Sequence, residues 1–202
     1  MRFFIVTGSP RTDSQSGRIG RYIEQLIAAQ HPAVKTNILD LGRTPMPLWN
    51  ESMWSDTPQG FDDWLPVSKQ LSQSDALVVV TPEWGGMVPP ALTNFFLLCR
   101  TELVDKPGLI VSVSAGTGGS YPVAQLRMNS CKNTHLCYIP EHVIIREVRD
   151  LFNNFSQPAS ETEQFLTARL LHALALLEVY AHALLEVQNS GARDLKHFPF
   201  GM

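Results

Sequence analysis

The sequence predicts an α/β protein: one doubly wound parallel sheet of five strands, in the order 2-1-3-4-5, with helices on both faces. Three observations predict it. Short apolar, β-rich runs alternate with amphipathic segments from one end of the chain to the other, the pattern of repeated βαβ units. The run Ala76 to Thr81 is apolar on both faces, as a central parallel strand must be. The segments after the first, third and fourth runs are rich in glycine, hydroxyl or aromatic residues, and these are the strand ends where such a sheet places a ligand.

Phe3 to Thr7 is short, β-rich and stopped by Gly8-Ser9-Pro10, which makes it the first strand. Ile19, Ile23, Leu26 and Ile27 recur at helical spacing, so this segment packs one face on the sheet. Lys35 to Leu41 supplies the second strand, and a loop rich in proline and tryptophan follows from Gly42 to about Gly60. A helix from Phe61 to Ser74 leads into the third strand, Ala76 to Thr81. Pro89-Pro90 opens a helix running to about Arg100, proline being tolerated in a first helical turn. Gly108 to Ser114 is the fourth strand, Ser120 to about Asn129 the fourth helix, and Cys137 to Ile145 the fifth strand. A connector containing Pro158 leads to a long final helix, Glu161 to Gln188, which is apolar on more than one face. One side of it is expected against the sheet and the other against a second subunit. The tail from Asn189 is expected to be poorly ordered, as termini commonly are.

The chain has 202 residues, 44% of them hydrophobic and 17% charged, without a linker, repeat or low-complexity segment. That describes a single domain over 1–202 with one well-buried core. A formal net charge of −3 with no basic run argues against a nucleic-acid partner, whose phosphates need a basic patch. Cys99, Cys131 and Cys137 show neither a CxxC pair nor zinc spacing; Cys99 and Cys137 read as small core hydrophobes. A reducing cytoplasm fits them. The apolar stretch Leu170 to Val187 carries His172, Glu178, His182 and Glu186, too many ionisable groups for a membrane span.

The first loop, Gly8 to Gly17, offers hydroxyls from Ser9, Thr12, Ser14 and Ser16, the guanidinium of Arg11, and then a helix N-terminus. A phosphate monoester needs donors from several directions and favours the positive end of a helix dipole. A polar turn with Ser14 or Ser16 capping the helix explains the same residues equally well. The second loop, Thr81-Pro82-Glu83-Trp84-Gly85-Gly86, sets a flat aromatic beside glycines that let backbone approach a ligand, or is a turn whose tryptophan covers the core. Glu83 reads either as a substrate contact or as an acceptor that steadies the loop. The third loop, Ser114 to Tyr121, has three glycines in four positions, Gly116, Gly118 and Gly119. It suits either a flat ligand or a flexible turn. His135, His142, His172 and His182 read as structural or surface residues, and no acid–base dyad is found.

Together these loops resemble those of the NADPH-dependent FMN reductases, a branch of the flavodoxin-like superfamily that includes quinone, chromate and azo reductases. The carrying residues are Gly8-Ser9-x-Arg11-x-x-Ser14-x-Ser16, Thr81-Pro82-Glu83-Trp84 with Pro89 and Leu92-x-Asn94, and Ser114-x-Gly116-x-x-Gly119 with Gln125-Leu126-Arg127. The resemblance implies FMN as cofactor. Its phosphate would lie at Ser9, Arg11, Ser14 and Ser16, and its ring between Pro82, Glu83, Trp84 and Gly85 on one side and Ser114, Gly116, Gly118 and Gly119 on the other. It also implies NADPH or NADH as donor, a quinone, flavin or similar small molecule as acceptor, and a homodimer or homotetramer. Trp84 stands where the family usually has Tyr, Gly85-Gly86 where it has Asn with a nearby Ser, and Thr93 where Lys is frequent. A flavodoxin-type electron carrier and a non-redox binding module on the same fold remain open as alternatives.

Overall fold

The computed structural model describes residues 1–55, 58–155 and 160–201. Strands β1 (Arg2–Thr7), β2 (Lys35–Asp40), β3 (Ala76–Pro82), β4 (Pro107–Val113) and β5 (Cys137–Ile145) form one parallel sheet in the order β2-β1-β3-β4-β5. The chain winds outward in one direction from β1 and in the other from β3. These two strands pair directly, Phe3 opposite Ala76 through Thr7 opposite Val80. Their C-terminal loops therefore part from each other and leave a crevice at the point of reversal.

Side chains alternate across the sheet and feed two cores. Phe3 and Ile5 pack with α1 (Gln15–Gln30) and α5 (Glu161–Asn189). Phe4 and Val6 pack with α2 (Trp64–Ser72), α3 (Pro90–Leu98) and α4 (Ser120–Asn129) on the opposite face. β3 is buried at every position, as its unbroken apolar run requires.

Several boundaries differ from the sequence expectation, each for a local reason. Phe61 is buried but precedes α2: its carbonyl accepts the N–H groups of Trp64 and Leu65, so it nucleates the helix from outside. Lys106 ends α2 by donating from Nζ to the Leu71 and Ser72 carbonyls at 2.8 and 2.9 Å. Cys99 turns extended and ends α3, with its buried thiol donating to the Phe95 carbonyl at 3.3 Å. Cys137 is a correction. It opens β5 as expected, but it is exposed, because β5 is an edge strand and its first residue lies at a corner of the sheet.

The segment after β2 contains a 3₁₀ turn, Glu51–Trp54, that the sequence did not announce. Asn94 on α3 holds this segment, accepting the Trp49 N–H at 2.8 Å and donating to the Pro47 carbonyl at 2.9 Å. The expected Pro158 connector lies outside the described residues. Ser160 caps the start of α5, its hydroxyl accepting the Glu163 N–H at 3.1 Å. By length and composition α5 is apolar enough to cross a bilayer, yet Leu170, Leu174 and Leu177 are fully buried against the sheet. Its outer side, with Phe165 and Val179, is exposed. The tail packs back on the body: Arg193 grips the buried carboxylate of Asp105, and the Gly201 N–H donates to the Lys132 carbonyl at 3.2 Å.

Candidate active site

The crevice at the reversal point is a small open cleft lined by Ser9, Arg11, Ser14, Gln15, Ser16, Pro82, Glu83, Trp84, Val113, Ala115 and Val148. The β1–α1 loop supplies its polar wall. Gly8 starts this loop because a Cβ there would lie 2.6 Å from Leu92 Cδ2, so α3 presses directly on the backbone. Ser9, Ser14 and Ser16 are all buried. The Ser9 hydroxyl accepts the Arg11 N–H at 3.2 Å, and Ser14 caps α1 by accepting the Gly17 N–H at 3.0 Å. Ser16 Oγ reaches Ser14 Oγ at 3.3 Å. The N–H groups of Gln15 and Ser16 have no intramolecular partner among the described residues, as the first turn of a helix dictates. Arg11 forms no ion pair among the described residues, and its guanidinium carbon lies over the Trp84 ring, 5.7 Å from the centroid. Thr12 stays exposed and lines nothing here.

The β3–α3 loop is a tight turn. Trp84 and Met87 exchange backbone hydrogen bonds at 3.0 and 2.9 Å, with Gly85 and Gly86 at φ +56° and +78° between them. Two successive positive φ values are what a type I′ turn demands, and glycine supplies them without strain. Gly85 and Gly86 therefore serve the turn first, and what they offer a ligand is the open space around them. Gln125, one of the residues carrying the resemblance, fixes the far end of the loop by accepting the Val88 N–H at 2.7 Å.

The β4–α4 loop is held from both sides. Ser114 donates its N–H to the Ile145 carbonyl at 2.9 Å and accepts the Val148 N–H at 3.1 Å. The Gly116 carbonyl accepts the Glu147 N–H at 3.0 Å, and the Gly116 N–H goes to Ser114 Oγ at 3.2 Å. Arg146 Nε donates to the Thr117 and Gly118 carbonyls at 2.7 and 3.1 Å. The Gly119 N–H donates to Glu83 Oε2. Glu83 is thus the loop-steadying acceptor of its two sequence readings. Of the N–H groups on this loop, Gly116 and Gly119 are engaged within the protein. Those of Thr117 and Gly118 have no partner among the described residues.

Of the twelve residues expected at the site, Ser9, Arg11, Ser14, Ser16, Pro82, Glu83 and Trp84 line the cleft together. Gly85, Ser114, Gly116, Gly118 and Gly119 form the turns around it. Sequence reasoning missed Arg18. Its Nη1 donates to the Leu151 and Phe152 carbonyls at 2.7 Å each, its Nη2 to the Val148 carbonyl, and its Nε to Gln15 Oε1 at 2.9 Å. This fork draws the segment after β5 against α1 and sets Val148 in the cleft wall. Burial lowers the Arg18 pKa, and Glu163 pushes it back up. The only available sequence signal was its place one turn after the Ser14 cap; its carbonyl partners lie more than 100 positions away.

The donor set fits the phosphate of FMN. Buried hydroxyls, first-turn N–H groups without a partner among the described residues and a guanidinium without an ion pair among them line the same cleft. Among the described residues no His, Cys, Asp and Glu cluster could hold a metal ion. Residues 1–150 match the family model of the NADPH-dependent FMN reductases. The chain is 28% identical over 122 residues to a quinone reductase of Pseudomonas putida KT2440, a match covering 58% of this chain and 62% of that protein. It is 25% identical over 170 residues to another Pseudomonas putida quinone reductase, covering 81% of this chain and 88% of the relative. Among solved structures, a flavoenzyme NAD(P)H:acceptor oxidoreductase from Paracoccus denitrificans superposes with a TM-score of 0.67 at 18% identity, covering 92% of this chain and 97% of that one. At that identity the likeness shows the shared fold, and the family match runs from β1 through the whole of the sheet. The chain belongs to the NADPH-dependent FMN reductase family.

Proposed function

We propose that the cleft binds FMN with its phosphate at the β1–α1 loop, and that the chain passes electrons from NADPH or NADH to a small acceptor such as a quinone or a flavin. One observation carries this reading: the Arg11 guanidinium, free of any carboxylate among the described residues, lines the same cleft as the buried hydroxyls of Ser9, Ser14 and Ser16. When bound, FMN supplies the chemistry that accepts a hydride and releases electrons.

The protein's part is to bind, orient and exclude water. Ser9, Ser14, Ser16 and Arg11 meet the phosphate, and the start of α1 adds its dipole. Pro82, Glu83, Gly85 and the backbone of Trp84 bound one side of the ring, and Ser114, Gly116, Gly118 and Gly119 the other. The free N–H groups of Thr117 and Gly118 are the donors left for a ring carbonyl, on a loop made rigid by Glu83 and Arg146. Val113, Ala115 and Val148 keep that end apolar. No side chain is assigned a proton-transfer role.

We further infer that residues 1–202 act as one domain in a homodimer or homotetramer. The exposed apolar side of α5 and an open groove between α3 and α4 that Val88, Phe96, Leu97 and Leu126 help line support assembly. Three free thiols support a reducing cytoplasm.

The test is a visible spectrum of the purified protein after FMN addition and desalting, followed by anaerobic NADPH. Retained flavin that bleaches supports the reductase. Retained flavin that stays oxidised points to a carrier reduced by another protein, and loss of all flavin overturns the cofactor site.

A further inference from the structure

We propose that Trp84 is a positioning residue for the cofactor's phosphate, acting through Arg11, and that it selects FMN over unphosphorylated riboflavin; the proposal rests on the FMN site described above. An aromatic at the end of β3 is more readily read as a stacking face for a flat ring. The geometry gives it a different task. The guanidinium of Arg11 lies over the Trp84 ring at 5.7 Å, within the range where a cation is attracted to the ring's negative face. A flavin stacking on that face would have to displace the arginine.

Among the described residues no ion pair or side-chain hydrogen bond anchors the Arg11 guanidinium. The nearby carboxylates are engaged elsewhere: Asp40 pairs with Arg21 at 3.2 Å and Arg43 at 3.8 Å, and Asp13 with Arg43 at 3.7 Å. Arg11's backbone is fixed, since its N–H donates to Ser9 Oγ and its carbonyl lies against Gly42, where a Cβ would sit only 2.2 Å away. Only the long, exposed side chain is free to wander, and Trp84 is the group that confines it. Trp84 is itself held by its reciprocal bonds to Met87 across the Gly85-Gly86 turn. A fixed aromatic thus holds an exposed cation in the cleft of three buried hydroxyls, and no carboxylate among the described residues pairs with it. The ligand feature that reads this arrangement is a phosphate, not a ring.

FMN and riboflavin differ only by that phosphate, so their affinities, measured by quenching of flavin fluorescence, separate the two roles. Trp84→Leu is expected to weaken FMN about two- to fivefold, the range of one exposed cation–π contact. Riboflavin binding should stay within about twofold of wild type, which also reports that the cleft still folds. Trp84→Phe, which keeps an aromatic face, should recover most of the FMN affinity. With Arg11→Ala in place, adding Trp84→Leu should cost FMN nothing further. Equal weakening of FMN and riboflavin by Trp84→Leu, or additive effects in the double variant, overturns the proposal in favour of ring stacking. A wild-type protein that holds FMN no more tightly than riboflavin overturns the phosphate site itself, a failure visible before any Trp84 variant is made.

Discussion

Glu83 and Gly119 are joined by a hydrogen bond from the Gly119 N–H to Oε2, across 36 positions of sequence. The bond ties the loop after β3 to the start of α4, and so sets the distance between the two walls proposed to hold the flavin ring. It also explains the glycine that precedes it. A Cβ at Gly118 would lie 2.8 Å from Glu83 Oε1 and 3.1 Å from its Cδ, in the space the carboxylate occupies.

Gly118→Ala should therefore displace the Glu83 carboxylate and release Gly119. A hydrogen bond to a charged acceptor contributes roughly 1.5–3 kcal/mol, so FMN affinity should fall about tenfold or more. Glu83→Ala should do the same, and the double variant should bind no worse than Glu83→Ala alone. Flavin fluorescence titration of the three proteins checks this; additive losses would mean that Gly118 touches the ligand independently of Glu83.

Two other glycines of the same loop should separate folding from binding. Gly119 has φ +107°, and a Cβ on it would meet Ile144 Cγ2 at 2.5 Å. Gly119→Ala should cost about 2 kcal/mol or more in urea denaturation, through both the left-handed backbone and the overlap. Among the described residues no atom lies within 4 Å of a Cβ placed on Gly116. Gly116→Ala should leave stability within about 0.5 kcal/mol of wild type. If the ring approaches this backbone as proposed, the same change should weaken FMN several-fold. An unaltered FMN affinity in Gly116→Ala would place the ring elsewhere.

The strand order and the crevice were legible in the sequence because buried parallel strands leave unbroken apolar runs and their C-terminal loops leave glycine and serine. Ala76 to Thr81 and Ser9, Ser14 and Ser16 are of this kind. The partners of long polar side chains were not legible. Arg18 contacts carbonyls more than 100 positions away, and Arg146 contacts those of Thr117 and Gly118; backbone acceptors carry no residue identity to read. The pairing of Gly85 with Gly86 was visible, but whether it served a ligand or a type I′ turn depended on the Trp84–Met87 bonds. Cys137 was misplaced because composition cannot tell a sheet corner from its centre.

Arg18→Lys should show how much the fork after β5 matters. A lysine keeps the charge but cannot donate to the Val148, Leu151 and Phe152 carbonyls from one planar group. Stability is expected to fall by roughly 2 kcal/mol, and hydrogen exchange should rise across residues 148–152. With Val148 no longer held in the cleft wall, FMN should dissociate faster. Exchange rates unchanged over 148–152 would show that the segment is held by its own contacts instead.

Lys106 gives the protein a pH signature that has nothing to do with the cleft. It is 7% exposed, and burial, opposed by Asp75 and Glu102, lowers its pKa to about 8 from an ordinary value of 10.5. Below pH 8 the ammonium is charged in both folded and unfolded chains, and its contribution does not change with pH. Between pH 8 and 10.5 the unfolded chain holds more protons at this position than the folded one, so the contribution of Lys106 to stability rises with pH. Burial raises the pKa of Cys99, which acts in the opposite direction at alkaline pH, so the wild-type curve alone mixes the two. The difference between wild type and Lys106→Met isolates the lysine. Measured by urea denaturation from pH 7 to 10, it should be flat up to about pH 8 and then shift toward wild type, by up to roughly 3 kcal/mol. A difference that stays level to pH 10 would mean that the Nζ bonds to Leu71 and Ser72 hold the ammonium as well as water does.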